Sequence, residues 1–181
     1  MALTATIYNF EVQLSDIDRG VYEALSLRLA RQPSETAEYL LTRALAYCLE
    51  WTEGLAFSRG LAEPDEPTLA VRDLTGTLRT WIDIGWPDAA RVHKASKAAD
   101  RVAIYTHKDP VLLVQKLAGE RIHRAAAVEL WGVDRDLIAA LAARLERRLD
   151  FELAVSDGHL YVTLDGTTFA GAVTRHPLAA A

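Results

Sequence analysis

The chain has 181 residues, half of them hydrophobic and a quarter charged, and its formal net charge is −5. This length and composition indicate a folded protein with a substantial core and exclude a disordered chain. Cys48 is the only cysteine, which excludes an intramolecular disulfide and a cysteine-based zinc site. The acidic balance argues against a protein that coats nucleic acid through a uniformly basic surface.

No stretch approaches the roughly 18 apolar residues of a membrane span, and the opening MALTATIYNF lacks the features of an export signal. We therefore expect a cytoplasmic protein without membrane contact.

The first third of the chain predicts a strand, an ambiguous segment and a helix. ATIYNFEVQL alternates as a strand does, and SDIDRGVYEALSLRLARQ is typical of a turn followed by either a short helix or a second strand. Ser34 is a suitable N-cap for a helix that reaches about Trp51, because apolar residues recur at helical spacing from Ala37 onward.

The middle of the chain predicts a hairpin, a helix and a strand. Two strand-like runs, TLAVRD and LRTWIDIG, flank a glycine-containing connection at Gly76. Pro87 stands where the first residue of a helix would be, and RVAIYTH follows that helix as an apolar strand.

The last third begins with a helix opened by Asp109 and Pro110 and reaching about Gly119. AAAVELWGV is typical of a buried strand, and Asp134 caps a helix whose apolar stripe continues to Leu149.

A closing hairpin joins FELAV and HLYVTL through Asp157 and Gly158, and we expect residues 176–181 to be a frayed tail. The chain has no repeats, low-complexity linker or break in composition. We therefore predict an α/β fold over residues 1–181, a compact single domain with a mixed β-sheet flanked by helices.

Asp83 is the first candidate for a functional residue, because it stands in the apolar strand LRTWIDIG. A carboxylate there loses hydration and needs a metal ion, a proton or a basic partner. The alternative is an edge position, or a structural ion pair with an arginine of the hairpin such as Arg72 or Arg79.

Four other candidate carboxylates lie before Asp83 in the chain. Glu38 borders the buried stripe of its helix, whereas Glu35 is explained equally well by the amide groups at the start of that helix. Asp65 and Glu66 stand between two prolines and are either a solvated acidic loop or carboxylates held in place. If the hairpin forms, Glu66 lies near Asp83.

Carboxylates that converge on one point suit Mg²⁺ or Mn²⁺, and a nearby lysine stabilises charge that develops on a phosphate. Lys94, on the helix after Asp83, is the candidate lysine, and a solvent-facing position is its alternative. The sequence contains no dinucleotide-binding or Walker loop, no H-E-x-x-H and no G-x-S-x-G motif.

At this point the chain resembles the bacterial YaeQ family. The resemblance covers nearly the whole chain and rests on segments in matching order and spacing. These segments are MALTATIYNF, RQPSETAE, FSRGLAEPDEPTL, WIDIGWPDAARVHKA and ELAVSDGHLYVTLDG.

The resemblance implies a variant of the PD-(D/E)XK core, a restriction-endonuclease-like fold, and with it a Mg²⁺- or Mn²⁺-dependent nuclease or related phosphodiesterase. Carried over by position, Glu38 matches the helix acid, Glu66 or Asp65 the hairpin acid, and Asp83 the central acid that together hold the metal.

The chain departs from the family pattern at the lysine. The superfamily places this residue two positions after the central acid, where Gly85 stands, and the resemblance implies that Lys94 replaces it. Convergence of Glu38, Glu66 and Asp83 favours the metal site, whereas pairing of Asp83 with an arginine counts against it.

Two other functions stay open. The first is a catalytically silent nuclease-like scaffold that binds a protein or a nucleic acid, and the second is a purely structural carboxylate network. A nucleic acid would contact local basic patches. The candidate patches are Arg28 and Arg31; Lys94, Lys97 and Arg101; and Arg144, Arg147 and Arg148. The alternative for the last of these patches is an ordinary solvated helix face.

Overall fold

The computed structural model describes residues 4–58 and 65–178. The strands, in chain order, are β1 (Thr6–Asp16), β2 (Val21–Arg31), β3 (Leu55–Phe57), β4 (Leu69–Arg72), β5 (Leu78–Ile84), β6 (Arg101–Thr106), β7 (Glu129–Val133), β8 (Arg148–Ser156), β9 (His159–Leu164) and β10 (Thr167–Pro177). The helices are α1 (Ala37–Glu50), α2 (Ala89–Ala98), α3 (Pro110–Leu117) and α4 (Arg135–Ala142). The contacts divide the chain into two compact units.

The first unit comprises, of the described residues, 4–49 and 133–174. Its strands follow the order β2-β1-β8-β9-β10, in which β1 and β8 are parallel and the other neighbours antiparallel. Alternate residues of β1, namely Phe10, Val12 and Leu14, are buried, as the period-2 pattern predicted. The ambiguous segment after β1 is the second strand, because it pairs with β1 along its whole length.

The second unit comprises, of the described residues, 50–58, 65–132 and 175–178. Its strands follow the order β7-β6-β5-β4-β3. The three strands β5, β6 and β7 are parallel, while β3, β4 and β5 form an antiparallel meander that contains the predicted hairpin. Parallel strands need crossover connections, which α2 and α3 provide. Apolar residues of α2 and α3 pack with those of the sheet in one buried cluster.

All four helices of the described residues have an aspartate or threonine cap that fixes where they begin. Asp109 and Asp134 cap α3 and α4 as predicted. Helix α1 begins later than expected, because Thr36, and not Ser34, accepts a hydrogen bond from the amide of Tyr39. The remaining helix, α2, is capped by Asp88, one residue after Pro87.

Two predictions near the end of the chain are wrong. Helix α4 ends at Ala142, and Leu149 lies in β8, where pairing with β1 overrides the helical stripe. Strand β10 was not predicted, since its alternation is weak. Gly171 is needed there, because a Cβ at this position would lie 2.6 Å from Asp134 Cβ, at the start of α4.

The end of the chain is more regular than expected. His176 and Pro177 are the last residues of β10, and Leu178 is buried, although a frayed tail was predicted from residue 176. A buried apolar side chain holds this segment in place. Residues 179–181 lie outside the described part of the chain. Within that part, none of the helices has the length and apolar character needed to cross a membrane.

Candidate functional site

Asp83 lies on β5 and is almost completely buried, with 3% of its side chain exposed. It stands on the same face of the strand as Trp81, which belongs to the apolar cluster beneath α2 and α3. The amide and hydroxyl of Thr68, just before β4, both lie 3.5 Å from Asp83 Oδ1. These contacts are long, so a buried carboxylate here requires a stronger partner.

Arg91 is that partner. Its Nε donates to Asp83 Oδ2 at 2.7 Å and its Nη2 to Asp83 Oδ1 at 2.8 Å, a two-pronged ion pair. The Nη2 group also donates to the backbone carbonyl of Glu66 at 2.7 Å. The guanidinium carbon lies 5.4 Å from the ring centre of Trp81. Arg91 thus neutralises Asp83 and ties it to the loop before β4.

The local sequence explains why Arg91 reaches this point. Asp88 caps α2 by accepting the amide of Arg91, which places Arg91 in the first turn of the helix. Because α2 begins a few residues after β5, its first turn lies beside the carboxyl end of that strand. The sequence had suggested, as the alternative to a functional site, an edge position or an arginine of the hairpin. Arg72 donates to the carbonyl of Gly76.

Gly85 ends β5 with a φ of +88°, and its amide donates to the carbonyl of Tyr105 at 2.8 Å. This conformation favours glycine and strains any L side chain. The position two residues after Asp83 is therefore unsuited to the lysine that the nuclease pattern places there.

Lys94 lies one turn after Arg91 and forms an ion pair with Asp65. Its hydrogen bond is the largest of the influences that lower the pKa of Asp65, and its charge acts in the same direction. Both side chains are well exposed, at 49% and 78%, so the pair contributes little to stability. The predicted lysine does extend to the acidic loop, but it contacts Asp65 and not Asp83.

Glu66 is exposed, and its backbone carbonyl, not its carboxylate, takes part in the Arg91 contacts. The other proposed ligand, Glu38, is half-buried in the first turn of α1 and belongs to the first unit. Its backbone carbonyl accepts the hydroxyl of Thr42 at 2.8 Å.

Glu35, the secondary candidate, precedes α1 and does not lie in its first turn. One of its carboxylate oxygens accepts the amide of Gln32 at 3.2 Å and lies 3.5 Å from Arg43 Nη2. These contacts fix the connection between β2 and α1. They replace the helix-terminus explanation that the sequence suggested.

The donor set around Asp83 does not fit a divalent cation. Both Asp83 oxygens are engaged by Arg91, and a metal ion would have to compete with the guanidinium for them. Across residues 4–58 and 65–178, no three His, Cys, Asp or Glu side chains are grouped closely enough to hold a metal ion. Pairing of Asp83 with an arginine is the outcome that counts against the metal hypothesis.

A second arginine centre, which the sequence did not predict, lies on the opposite face of the parallel strands. Arg101 contacts both oxygens of Glu50, at 2.6 and 2.9 Å, and both oxygens of Glu129, at 2.5 and 3.1 Å. The hydroxyl of Tyr105 donates to Glu50 at 2.6 Å, and the indole of Trp131 donates to Glu129 at 3.3 Å.

The electrostatics of this centre follow from its burial and its charge. Burial raises the pKa of Tyr105, and the charge and hydrogen bond of Glu50 raise it further. Burial alone would raise the pKa of Glu129, but the hydrogen bonds and charge of Arg101 outweigh it and lower that pKa. Arg101 is thus part of an ion-pair network and does not belong to the open basic patch predicted with Lys94 and Lys97.

Comparison with known proteins decides the family. The model of the family described as YaeQ protein matches residues 1–172. The chain belongs to the YaeQ family. An uncharacterised YaeQ protein of Escherichia coli (strain K12) is 33% identical over 166 residues, which span 91% of this chain and 92% of the relative.

Two crystal structures of YaeQ proteins are similar to the chain in fold. The Pseudomonas syringae protein is 32% identical with a TM-score of 0.83, covering 94% of this chain and 95% of the other. The Xanthomonas axonopodis pv. citri protein is 35% identical with a TM-score of 0.85, covering 95% and 98%. These likenesses confirm the predicted α/β fold with a mixed sheet and helices.

Proposed function

We propose that this member of the YaeQ family is a nuclease-like scaffold that binds nucleic acid without cleaving it. The observation that carries the proposal is the ion pair of Arg91 with both carboxylate oxygens of Asp83. The guanidinium supplies the positive charge that a buried carboxylate needs, so Asp83 is satisfied without a metal ion. The φ of +88° at Gly85 is unsuited to the lysine that the nuclease pattern places two residues after the central acid.

The order of the elements supports the nuclease-like core. Helix α1 is followed by β3 and the β4–β5 hairpin, then by α2, and then by β6, which is parallel to β5. Asp83 stands on the second strand of the hairpin, near its carboxyl end, as the resemblance to the PD-(D/E)XK core implies. A scaffold of this kind keeps the nucleic-acid-binding architecture, while Arg91 occupies both carboxylate oxygens of Asp83.

The distribution of lysine supports a nucleic-acid partner. Although the net charge is −5, all four lysines of the chain fall within residues 94–116, on or next to α2 and α3. A local concentration of positive charge engages phosphates even on an acidic protein, and such binding weakens with added salt.

The test measures binding and cleavage in the same samples. Fluorescently labelled single-stranded and duplex DNA and RNA are titrated with the protein in Mn²⁺ and, separately, in EDTA. We expect binding that EDTA does not reduce and no shortening of any strand. The Asp83→Asn, Lys94→Ala variant should keep the binding, because Asp83 is buried, Lys94 is already paired with Asp65 and the other three lysines remain. Metal-dependent cleavage that this variant loses would overturn the proposal.

A second candidate, a metal-dependent phosphodiesterase, is favoured by one observation. Lys94 contacts Asp65, next to Glu66, so a lysine does stand beside the acidic loop. This function requires Arg91 to release Asp83 first. The same assay distinguishes the two candidates, since only the phosphodiesterase shortens a strand in Mn²⁺.

A further inference from the structure

Trp86 stands where the chain leaves β5 and turns toward α2. Its indole is partly buried and packs against the apolar cluster that contains Leu113 and Leu117 of α3. The indole Nε1 is buried and has no hydrogen-bond partner among the described residues. Packing, and not a hydrogen bond, therefore holds the ring in place.

Two lysines converge on this ring from the two ends of α3. Lys108, two residues before the helix, has its ammonium 5.6 Å from the ring centre, and Lys116, in the last turn, has its ammonium 5.5 Å away. The two ammonium groups cannot be further apart than the sum of these distances. A tryptophan ring attracts cations, so it restrains two flexible charges that would otherwise repel one another.

Neither lysine is neutralised. Within residues 4–58 and 65–178, no carboxylate lies within 4.0 Å of either ammonium group, and both side chains are exposed. Lys94, by contrast, is paired with Asp65. Trp86, Lys108 and Lys116, here called the Trp86 cluster, thus hold two unneutralised positive charges beside an aromatic ring.

The position of the Trp86 cluster in the fold is a second argument. Trp86 follows the carboxyl end of β5 and Lys108 follows that of β6, and these neighbouring strands are parallel. The carboxyl ends of parallel strands in α/β sheets are where ligands commonly bind, because the loops there leave a crevice. The cluster lies at that edge.

We infer that the Trp86 cluster is a contact site for the phosphates of a single-stranded nucleic acid. Two restrained ammonium groups suit consecutive phosphates of a flexible backbone, and lysine binds phosphate as a point charge without demanding one geometry. Basic side chains beside an aromatic ring are typical of single-strand binding. The inference rests on the proposed function and assigns that function to particular residues.

The experiment measures the affinity for a labelled oligothymidylate at several salt concentrations by fluorescence anisotropy. The Lys108→Gln, Lys116→Gln variant should bind about tenfold more weakly at low salt, and its slope of log K against log salt should be smaller by about 1.4, since each phosphate contact contributes about 0.7 for single strands. Trp86→Leu keeps both positive charges but no longer restrains them. Its affinity and its salt slope should therefore lie between those of the lysine variant and those of the wild type.

The matched control is Arg72→Gln, Arg121→Gln, which removes the same charge from two other exposed residues of the second unit. We expect it to retain nearly the wild-type affinity and salt slope. The lysine variants change only exposed side chains, so we expect them to fold as the wild type does. Trp86 is partly buried, and circular dichroism checks that Trp86→Leu is folded.

The outcomes separate the two proposals. If the wild type binds no oligonucleotide, the proposed function fails and the site fails with it. If the wild type binds but the lysine variant behaves as the control does, only the site is overturned. Inorganic phosphate or oligoglutamate that displaces the oligonucleotide at equal charge concentration would also overturn it, since the cluster would then bind any anion. Selective loss in the lysine variant supports it.

Discussion

The second unit contains two arginine centres that satisfy buried carboxylates in different ways. Arg91 serves one aspartate that is 3% exposed, and its own side chain is 25% exposed. Arg101 forms ion pairs with Glu50 and Glu129, whose side chains are 9% and 16% exposed, and its own side chain is 39% exposed. Tyr105 and Trp131 donate further hydrogen bonds at the second centre. Among residues 4–58 and 65–178, the contacts of Asp83 besides those of Arg91 are two long ones from Thr68.

The difference concerns how much each carboxylate depends on its arginine. Loss of Arg91 leaves Asp83 buried and unneutralised. Loss of Arg101 leaves Glu50 and Glu129 with other hydrogen-bond donors and with some access to water. A buried carboxylate in an apolar strand is therefore not by itself evidence of a metal site, because one arginine in the next helix can satisfy it.

The largest effect is expected for Arg91→Ala. Removing one member of a buried ion pair leaves an uncompensated charge, so the free energy of unfolding should fall by about 3–5 kcal/mol. Urea unfolding monitored by circular dichroism measures it. The control Arg79→Ala breaks pairs with Asp73 and Asp100 that are largely exposed and should cost less than about 1 kcal/mol. Equal losses would show that Asp83 does not depend on Arg91.

A smaller effect is expected for Arg101→Ala. Because Arg101 is more than a third exposed, solvent screening weakens its pairs, and we expect a loss of about 1–3 kcal/mol at neutral pH.

This loss should depend on pH, since the folded-state pKa of Glu129 lies below the ordinary value of 4.5. A carboxylate whose pKa is lower in the folded than in the unfolded protein stabilises the fold at pH values above the unfolded-state pKa. That stabilisation is lost as the pH falls through the folded-state pKa. The difference between wild type and Arg101→Ala should therefore shrink below pH 4.5. Urea unfolding at several pH values measures it, and a difference that grows on acidification would contradict the account.

Much of the fold could be predicted from local patterns. The hairpin at Gly76, the caps Asp109 and Asp134, and the hairpin of β8 and β9 all carry short-range signals and are confirmed. Strand β10 had a short-range signal that was not used: Asp165 and Gly166, both with positive φ, form the two-residue turn that pairs it with β9. Only its close packing at Gly171 depends on a distant residue, Asp134.

The candidate site was harder to predict than the fold. The sequence pointed to Asp83 through its apolar strand, but its partner lies on the next helix, where only the first-turn position after Asp88 gives a hint. The Arg101 centre carries no local signal, since Arg101 lies 51 residues from Glu50 and 28 from Glu129. Such networks are set by sheet register and by which face each residue occupies.

The most direct test of the account is a calorimetric titration of the wild type and of Asp83→Asn with Mn²⁺. If Arg91 closes the acidic centre around Asp83, neither protein should bind Mn²⁺ at that centre, and the two titrations should be indistinguishable. Binding of Mn²⁺ to the wild type that Asp83→Asn abolishes would contradict the account, because Asp83 would then be a metal ligand and Arg91 a side chain that the metal displaces.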